Sequence, residues 1–366
     1  MDLSLITYHF IIPMLEFFKK LLGNYGWAII TVTILVKMIL YPLTKQQTES
    51  MKKMQALQPK IKILQDRFNQ QKDRHKDKPE KLKEAQAGFQ KDMMEFYQTN
   101  KVNPLGGCFP MIVQLPVLIA LFWTFNGSPF KPVAISAPVE ILSSEHSLQE
   151  QRSGKSKPQI FIDSEGKKAR FVLSPGQVKI PTSTKVNYVI HKLSGDANGI
   201  SNKIKWELSE SPYYAANVKK VDLSNLAIVE VNPDKSATLI PKNMGKFYIH
   251  AILPASSAND TFLFIKGLGK TGPVDHDTGK LNIDVIILVF LFALTIWLSG
   301  KATSSYAPPP TDPKQAQMQK MMQKMMPPMV AMMILFFPVP AGVLLYFVSS
   351  GLIQALQTWM IMRKSV

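Results

Sequence analysis

The stretch Tyr25–Leu43, YGWAIITVTILVKMILYPL, decides the fold. About 20 apolar residues at 1.5 Å rise cross the hydrocarbon core of a bilayer, and this stretch has that length. Its one charge, Lys37, lies well inside. A lysine at such depth costs roughly 3 kcal/mol on insertion scales, so it faces a water-filled cavity or a partner and not lipid. The chain therefore reads as a membrane protein with a hydrated cation inside its first span.

Upstream, residues 3–22 put Ile11, Met14, Leu15, Phe18 and Leu22 on one helical face, the pattern of a helix lying in the interface. Downstream, residues 44–103 hold 14 Lys/Arg against 8 Asp/Glu, which places this loop in the cytoplasm. Met51, Met54, Leu57, Ile61, Leu64 and Phe68 step by three and four, as do Leu82, Ala85, Phe89, Met93 and Phe96. With the charged segment 70–80 between them, the two stripes predict a cytoplasmic helical hairpin. NPLGGC (103–108) then turns the chain into a second span, Phe109–Phe125, interrupted by Gln114 and Pro116.

Residues 128–282 change character. Alternating runs at 186–190, 204–208 and 247–251 are separated by Gly, Pro, Asn and Asp clusters, predicting an extracytoplasmic antiparallel β-sandwich with Trp206 on a central strand. Trp206 and the closing ATLIPKNMGKFYIHAIL resemble bacterial Ig-like domains. A third span follows at Ile283–Ser299, then a proline-rich cytoplasmic loop. A helix from Met318 becomes the fourth span, and a fifth runs from Val343 to Met362. The expected domains are an interfacial helix (1–24), a first core part (25–127), the β insertion (128–282) and a second core part (283–366). An outer N-terminus and a cytoplasmic C-terminus satisfy the charge bias of the short loops.

The net charge is +17 at pH 7, and the single cysteine, Cys108, leaves no intrachain disulfide. No Cys/His cluster has zinc spacing, and no GxSxG, HExxH or phosphate-cradling glycine loop occurs. Enzymatic activity, a cofactor and a metal site are not expected. Instead, polar residues recur inside the spans: Thr33, Lys37, Gln114, Ser349, Ser350, Gln354 and Gln357. Interhelical hydrogen bonding at about 0.6 kcal/mol per contact accounts for Gln354 and Gln357. It does not account for Lys37, because Asp284 sits at the opposite end of its span. Met318, Met321, Met322 and Met325 share a helix face, which reads by default as plain core; copper binding lacks an accompanying His or Cys, and flexible thioethers also suit a surface that receives many apolar sequences.

Three runs carry a resemblance. TVTILVKMILYPLTKQQTESMKKMQALQPKI, KVNPLGGCFPMIVQLPVLIALFWTF and DPKQAQMQKMMQKMMPPMVAMMILFFPVPAGVLLYFVSSGLIQALQ closely resemble the YidC/Oxa/Alb family of membrane protein insertases. The resemblance implies a five-transmembrane-helix core that inserts and folds new membrane proteins without nucleotide hydrolysis. It further implies a bacterial plasma membrane location and partners among nascent membrane proteins, ribosome–nascent chain complexes, the Sec translocon and the lipid bilayer. Recognition of nucleic-acid sequence is not expected. The family's groove arginine falls on Lys37, which keeps the cation and loses the planar fork. Its client-contacting positions fall on Thr33, Tyr346 and Phe347, and Gln114 and Ser350 complete the expected groove, with the methionine face as its receiving edge. Two rivals stand beside this reading. A small-solute transporter or channel with a polar midplane site predicts an internal repeat, and none is found. An adhesion protein working through its β domain has no need of a lysine inside its anchor.

Overall fold

A computed structural model describes residues 7–75, 78–100, 102, 109–143, 151–163, 165–196, 204–213, 221–257, 260–274, 279–305, 313–337 and 339–363. The NPLGGC turn lies outside these residues. The chain forms two compact units. One comprises Met1–Gly26, Ala120–Asp284 and Pro340–Val343, and the other Trp27–Ile119, Val285–Val339 and Leu344–Val366.

The first unit contains helix α1 (Ile12–Leu22), preceded by a π-helical turn at Thr7–Ile11. Pro13 stands in its first turn, where no backbone N–H is required. Gly23, at φ 79°, ends it by donating its N–H to the Lys19 carbonyl at 2.7 Å. Ile12, Leu15 and Glu16 are buried, whereas Phe10, Phe17 and Leu21 are exposed. The helix is thus apolar on two faces, and Leu22 of the expected single stripe points outward with the second.

The β region has ten strands: β1 (Val133–Leu142), β2 (Gln151–Ser153), β3 (Gln159–Ile162), β4 (Lys168–Ser174), β5 (Gln177–Pro181), β6 (Val186–Gly195), β7 (Lys205–Ser209), β8 (Ala227–Val231), β9 (Ala237–Pro241) and β10 (Gly245–Leu253). They form two five-stranded sheets, ordered β2-β5-β1-β10-β7 and β3-β4-β6-β9-β8. Period-two alternation sends Ile135, Ala137, Val139 and Ile141 of β1 and Phe247, Ile249 and Ala251 of β10 into one core, where Phe171, Leu173, Tyr188 and Leu239 of the other sheet meet them. This is the sandwich that the alternation predicted. Two details differ. β5 pairs parallel to β1, so the sheet is not wholly antiparallel. Trp206 sits on β7, an edge strand, and packs against the core while only partly buried. The first and last strands pair from Val133↔Leu253 to Ile141↔Gly245, so the chain enters and leaves the sandwich side by side.

In the second unit α2 (Tyr25–Ile39) is followed, after one turn residue, by α3 (Tyr41–Ala56). Helical hydrogen bonds run across the junction, from Leu40 N–H to Val36 O (3.0 Å) and from Thr44 N–H to Leu40 O (2.9 Å). α4 (Gln58–Arg74) and α5 (Pro79–Thr99) are the hairpin arms. Phe68 and Phe89 stack across them at 4.8 Å. The charged segment after Phe68 stays helical through Arg74, because Gln, Lys and Arg are good helix formers.

α6 (Phe109–Asn126) and α8 (Pro313–Phe336) carry Pro116 and the pair Pro327-Pro328 in their interiors. α7 (Ile283–Ser305) runs beyond the expected Ser299, with the Lys301 ammonium 5.1 Å over the Trp297 ring. α8 begins at Pro313, five residues before the expected Met318, with proline at its first position. α9 (Ala341–Arg363) is the last helix. Among the described residues, α7 and α9 are each long and apolar enough to cross a membrane alone. α2 qualifies only together with α1, as a broken pair, and the apolar stretches Gln114–Asn126 and Lys324–Phe336 are shorter.

Candidate functional site

Helical spacing assembles the site. Thr33 and Lys37 lie one turn apart on α2, and Tyr346, Ser350, Gln354 and Gln357 step by four, four and three along α9. Thr33 is fully buried, and its hydroxyl donates to the Ile29 carbonyl at 2.6 Å, so no polar hydrogen is stranded. Lys37 is only 9% exposed. Its ammonium donates to Gln354 Oε1 at 3.1 Å, and Gln357 Nε2 donates to the Lys37 carbonyl at 3.4 Å. Among the described residues no carboxylate pairs with Lys37.

Tyr346 is buried on the same stripe of α9, and Ser350 is half-buried one turn on. A second stripe of α9 binds α7. Phe347 stacks on Phe292 with centroids 4.9 Å apart and planes at 18°. One turn later Gly351 lies so close to Thr295 that a Cβ there would collide with the threonine side chain. The structure thus places Phe347 in the α7–α9 contact and brings Lys37 to Gln354 and Gln357. Gln114 Nε2 is buried with no hydrogen-bond partner among the described residues.

Met321 and Met325 are 53% and 58% exposed, and Met329, Met332 and Met333 extend the exposed thioether surface along α8. The side chains of Met318 and Met322 lie outside the described ones. Gln354 and Gln357 make the interhelical hydrogen bonds expected of them, and the residue they bond is Lys37, for which such bonding was not expected. Their spacing from Tyr346 and Ser350 was the available signal.

In the β region His250 is fully buried. Its Nδ1 lies 2.7 Å from Ser136 Oγ, the residue paired with it across β1, and its Nε2 lies 3.1 Å from the Ser211 carbonyl. Burial pushes the imidazole below its ordinary value. With Nε2 facing a carbonyl oxygen, the ring is a proton donor there and accepts from Ser136 at Nδ1, a structural cross-strand link.

Comparison with known proteins places these residues in context. The profile of the family described as 60Kd inner membrane protein matches residues 17–152 and 247–366, which include Lys37, Gln114 and the whole polar stripe of α9. A Synechocystis protein named Membrane protein insertase YidC is 32% identical over 368 residues, covering 99% of this chain and 89% of its own length. A Prochlorococcus marinus protein of the same name is 33% identical over 100% of this chain and 89% of its own length. A Psychromonas ingrahamii protein of that name is 49% identical over 115 residues, 31% of this chain and 18% of its own. The two long alignments therefore take in residues 153–246, which the family profile passes over.

Proposed function

The chain belongs to the 60Kd inner membrane protein family and is a membrane protein insertase of the YidC type, and from that premise we propose that it works through the polar seam of α2 and α9. The carrying observation is Lys37, near-buried and bound to Gln354 with no carboxylate partner among the described residues. Five spans, α2, α6, α7, α8 and α9, enclose a water-filled groove open to the cytoplasm and to lipid. The groove shortens the apolar path that a client's polar flank crosses. Lys37 attracts acidic or polar flanks, with Thr33, Gln114, Tyr346 and Ser350 lining their way and Phe347, stacked on Phe292, fixing α9 against α7 behind them, while the client's apolar part passes into lipid. No nucleotide is consumed, since burial of the client's apolar segment drives the step.

The exposed methionines of α8, with Met318 and Met322, form the receiving face. The hairpin of α4 and α5 stands in the cytoplasm, where its basic surface meets ribosome–nascent chain complexes, and the Sec translocon is a second partner. The protein lies in the bacterial plasma membrane with its N-terminus outside and C-terminus inside, and α1 rests in the outer interface. The β-sandwich is an Ig-like module outside the cytoplasm.

The test is a photocrosslinker at Tyr346 in full-length protein, presented with ribosome-bound clients differing only in flank charge. Crosslinks to acidic-flank clients are expected with Lys37 and Lys37→Arg and are expected to fall with Lys37→Ala. Equal crosslinking and insertion by all three proteins overturns the electrostatic role.

A further inference from the structure

The first unit holds an open cleft of about 510 Å³ lined by Glu16, Lys19, Lys20 and Gly23 from the α1 end and by Glu165, Gly166 and Lys167 from the β3–β4 turn. The lining sets three lysines against two carboxylates, a net excess of one positive charge. The Tyr25 hydroxyl donates to Glu16, and Glu165 is paired with Lys167 at 2.7 Å. Lys19 holds its ammonium 4.1 Å over the Tyr25 ring, and Lys20 is exposed. Burial holds the Glu16 carboxyl above the usual carboxylate range, which weakens its opposition to an anion in the cleft.

The construction is specific. Gly166, at φ 78°, approaches the Glu16 side chain so closely that a Cβ would collide with the carboxylate, so the turn meets the helix only with glycine there. Gly23, at φ 79°, faces open space. Two bare glycines and three lysines thus frame the opening. The same helix exposes Phe17 (63%), Leu21 (69%) and Leu22 (42%). Such a stripe enters the acyl boundary when a helix lies in the interface, which sets the cleft at headgroup depth.

We propose that this cleft binds the headgroup of an anionic lipid in the outer leaflet, with Lys19, Lys20 and Lys167 around its phosphate and Phe17, Leu21 and Leu22 beside its chains. Such a lipid would pin the β region to the bilayer surface through one bound molecule. The inference rests on the chain spanning the membrane and not on the groove, so the two fail separately.

The test uses full-length protein in nanodiscs of phosphatidylcholine with a diazirine-bearing phosphatidylglycerol, and label is mapped by peptide. Label on residues 17–24 and 165–168 is expected. Lys20→Gln/Lys167→Gln is expected to lower it roughly fivefold for each lysine removed, while Lys20→Arg/Lys167→Arg retains it. The exposed lysine pair Lys185→Gln/Lys205→Gln, elsewhere in the sandwich, is expected to leave it unchanged. Equal labelling by a diazirine-bearing phosphatidylcholine, or labelling indifferent to the glutamine pair, overturns the site. Loss of label upon addition of millimolar inorganic phosphate marks a soluble-anion site instead and overturns the lipid assignment.

Discussion

Replacing Gln354 by leucine separates a wet seam from a dry one. The substitution removes the Oε1 acceptor that holds the Lys37 ammonium at 3.1 Å. In a dry interface a charge left without its acceptor loses a charged hydrogen bond, about 1.5–3 kcal/mol, and stranding a buried charge altogether costs about 3–5 kcal/mol. In a hydrated groove water takes the vacated place, and the loss shrinks to about 0.6 kcal/mol, that of an ordinary interhelical hydrogen bond. A double-mutant cycle with Lys37→Met isolates the pair. Equilibrium unfolding in nanodiscs or mixed micelles reads stability, and insertion of acidic-flank clients is assayed in parallel. The groove reading expects a coupling energy below about 1 kcal/mol, with Lys37→Met impairing insertion far more than stability. Coupling of about 2 kcal/mol or more, with insertion untouched, would make Lys37 an internal strut and refute the reasoning.

Two further outcomes follow from the packing. Gly351→Val forces a side chain into Thr295 and is expected to cost about 1–3 kcal/mol by overpacking, read as a lowered unfolding midpoint; an unchanged midpoint would mean that α7 and α9 do not pack closely there. Residues 130–280 expressed alone are expected to melt cooperatively. Their stability should fall as pH drops below about 6.5, because the unfolded chain takes up a proton that the depressed His250 resists, and should level off below the folded value. His250→Gln should flatten that slope, and an identical slope in both proteins would assign it to other groups.

Much of this was legible in the residues. Lys37 announced itself because a charge inside an apolar span has few physical uses, and the alternation in 186–190 and 247–251 fell on β6 and β10. What escaped lay where tertiary packing overrides local pattern. Trp206 reads as a core residue by type, but strand order is set by pairings between distant segments, and these put β7 at an edge. α1 reads as one-sided because its exposed and buried faces are both apolar, so periodicity cannot tell protein from lipid. That Gln354 and Gln357 bond across helices was legible, but that they bond Lys37 was not, because it lies more than three hundred residues away in sequence.

The helical hydrogen bonds that bracket Leu40 have a mechanical consequence. At 1.5 Å per residue, the rod from Lys37 through the end of α3 at Ala56 is roughly 28 Å long. Helical hydrogen bonds also bridge Leu57 into α4, from Leu57 N–H to Lys53 O (3.1 Å) and from Ile61 N–H to Leu57 O (3.1 Å). Leu40 and Leu57 are turn residues, and Pro42 and Pro59 beside them bring no N–H, so bending is concentrated at these two junctions. A load on the hairpin therefore meets two hinges before it reaches the charge at Lys37.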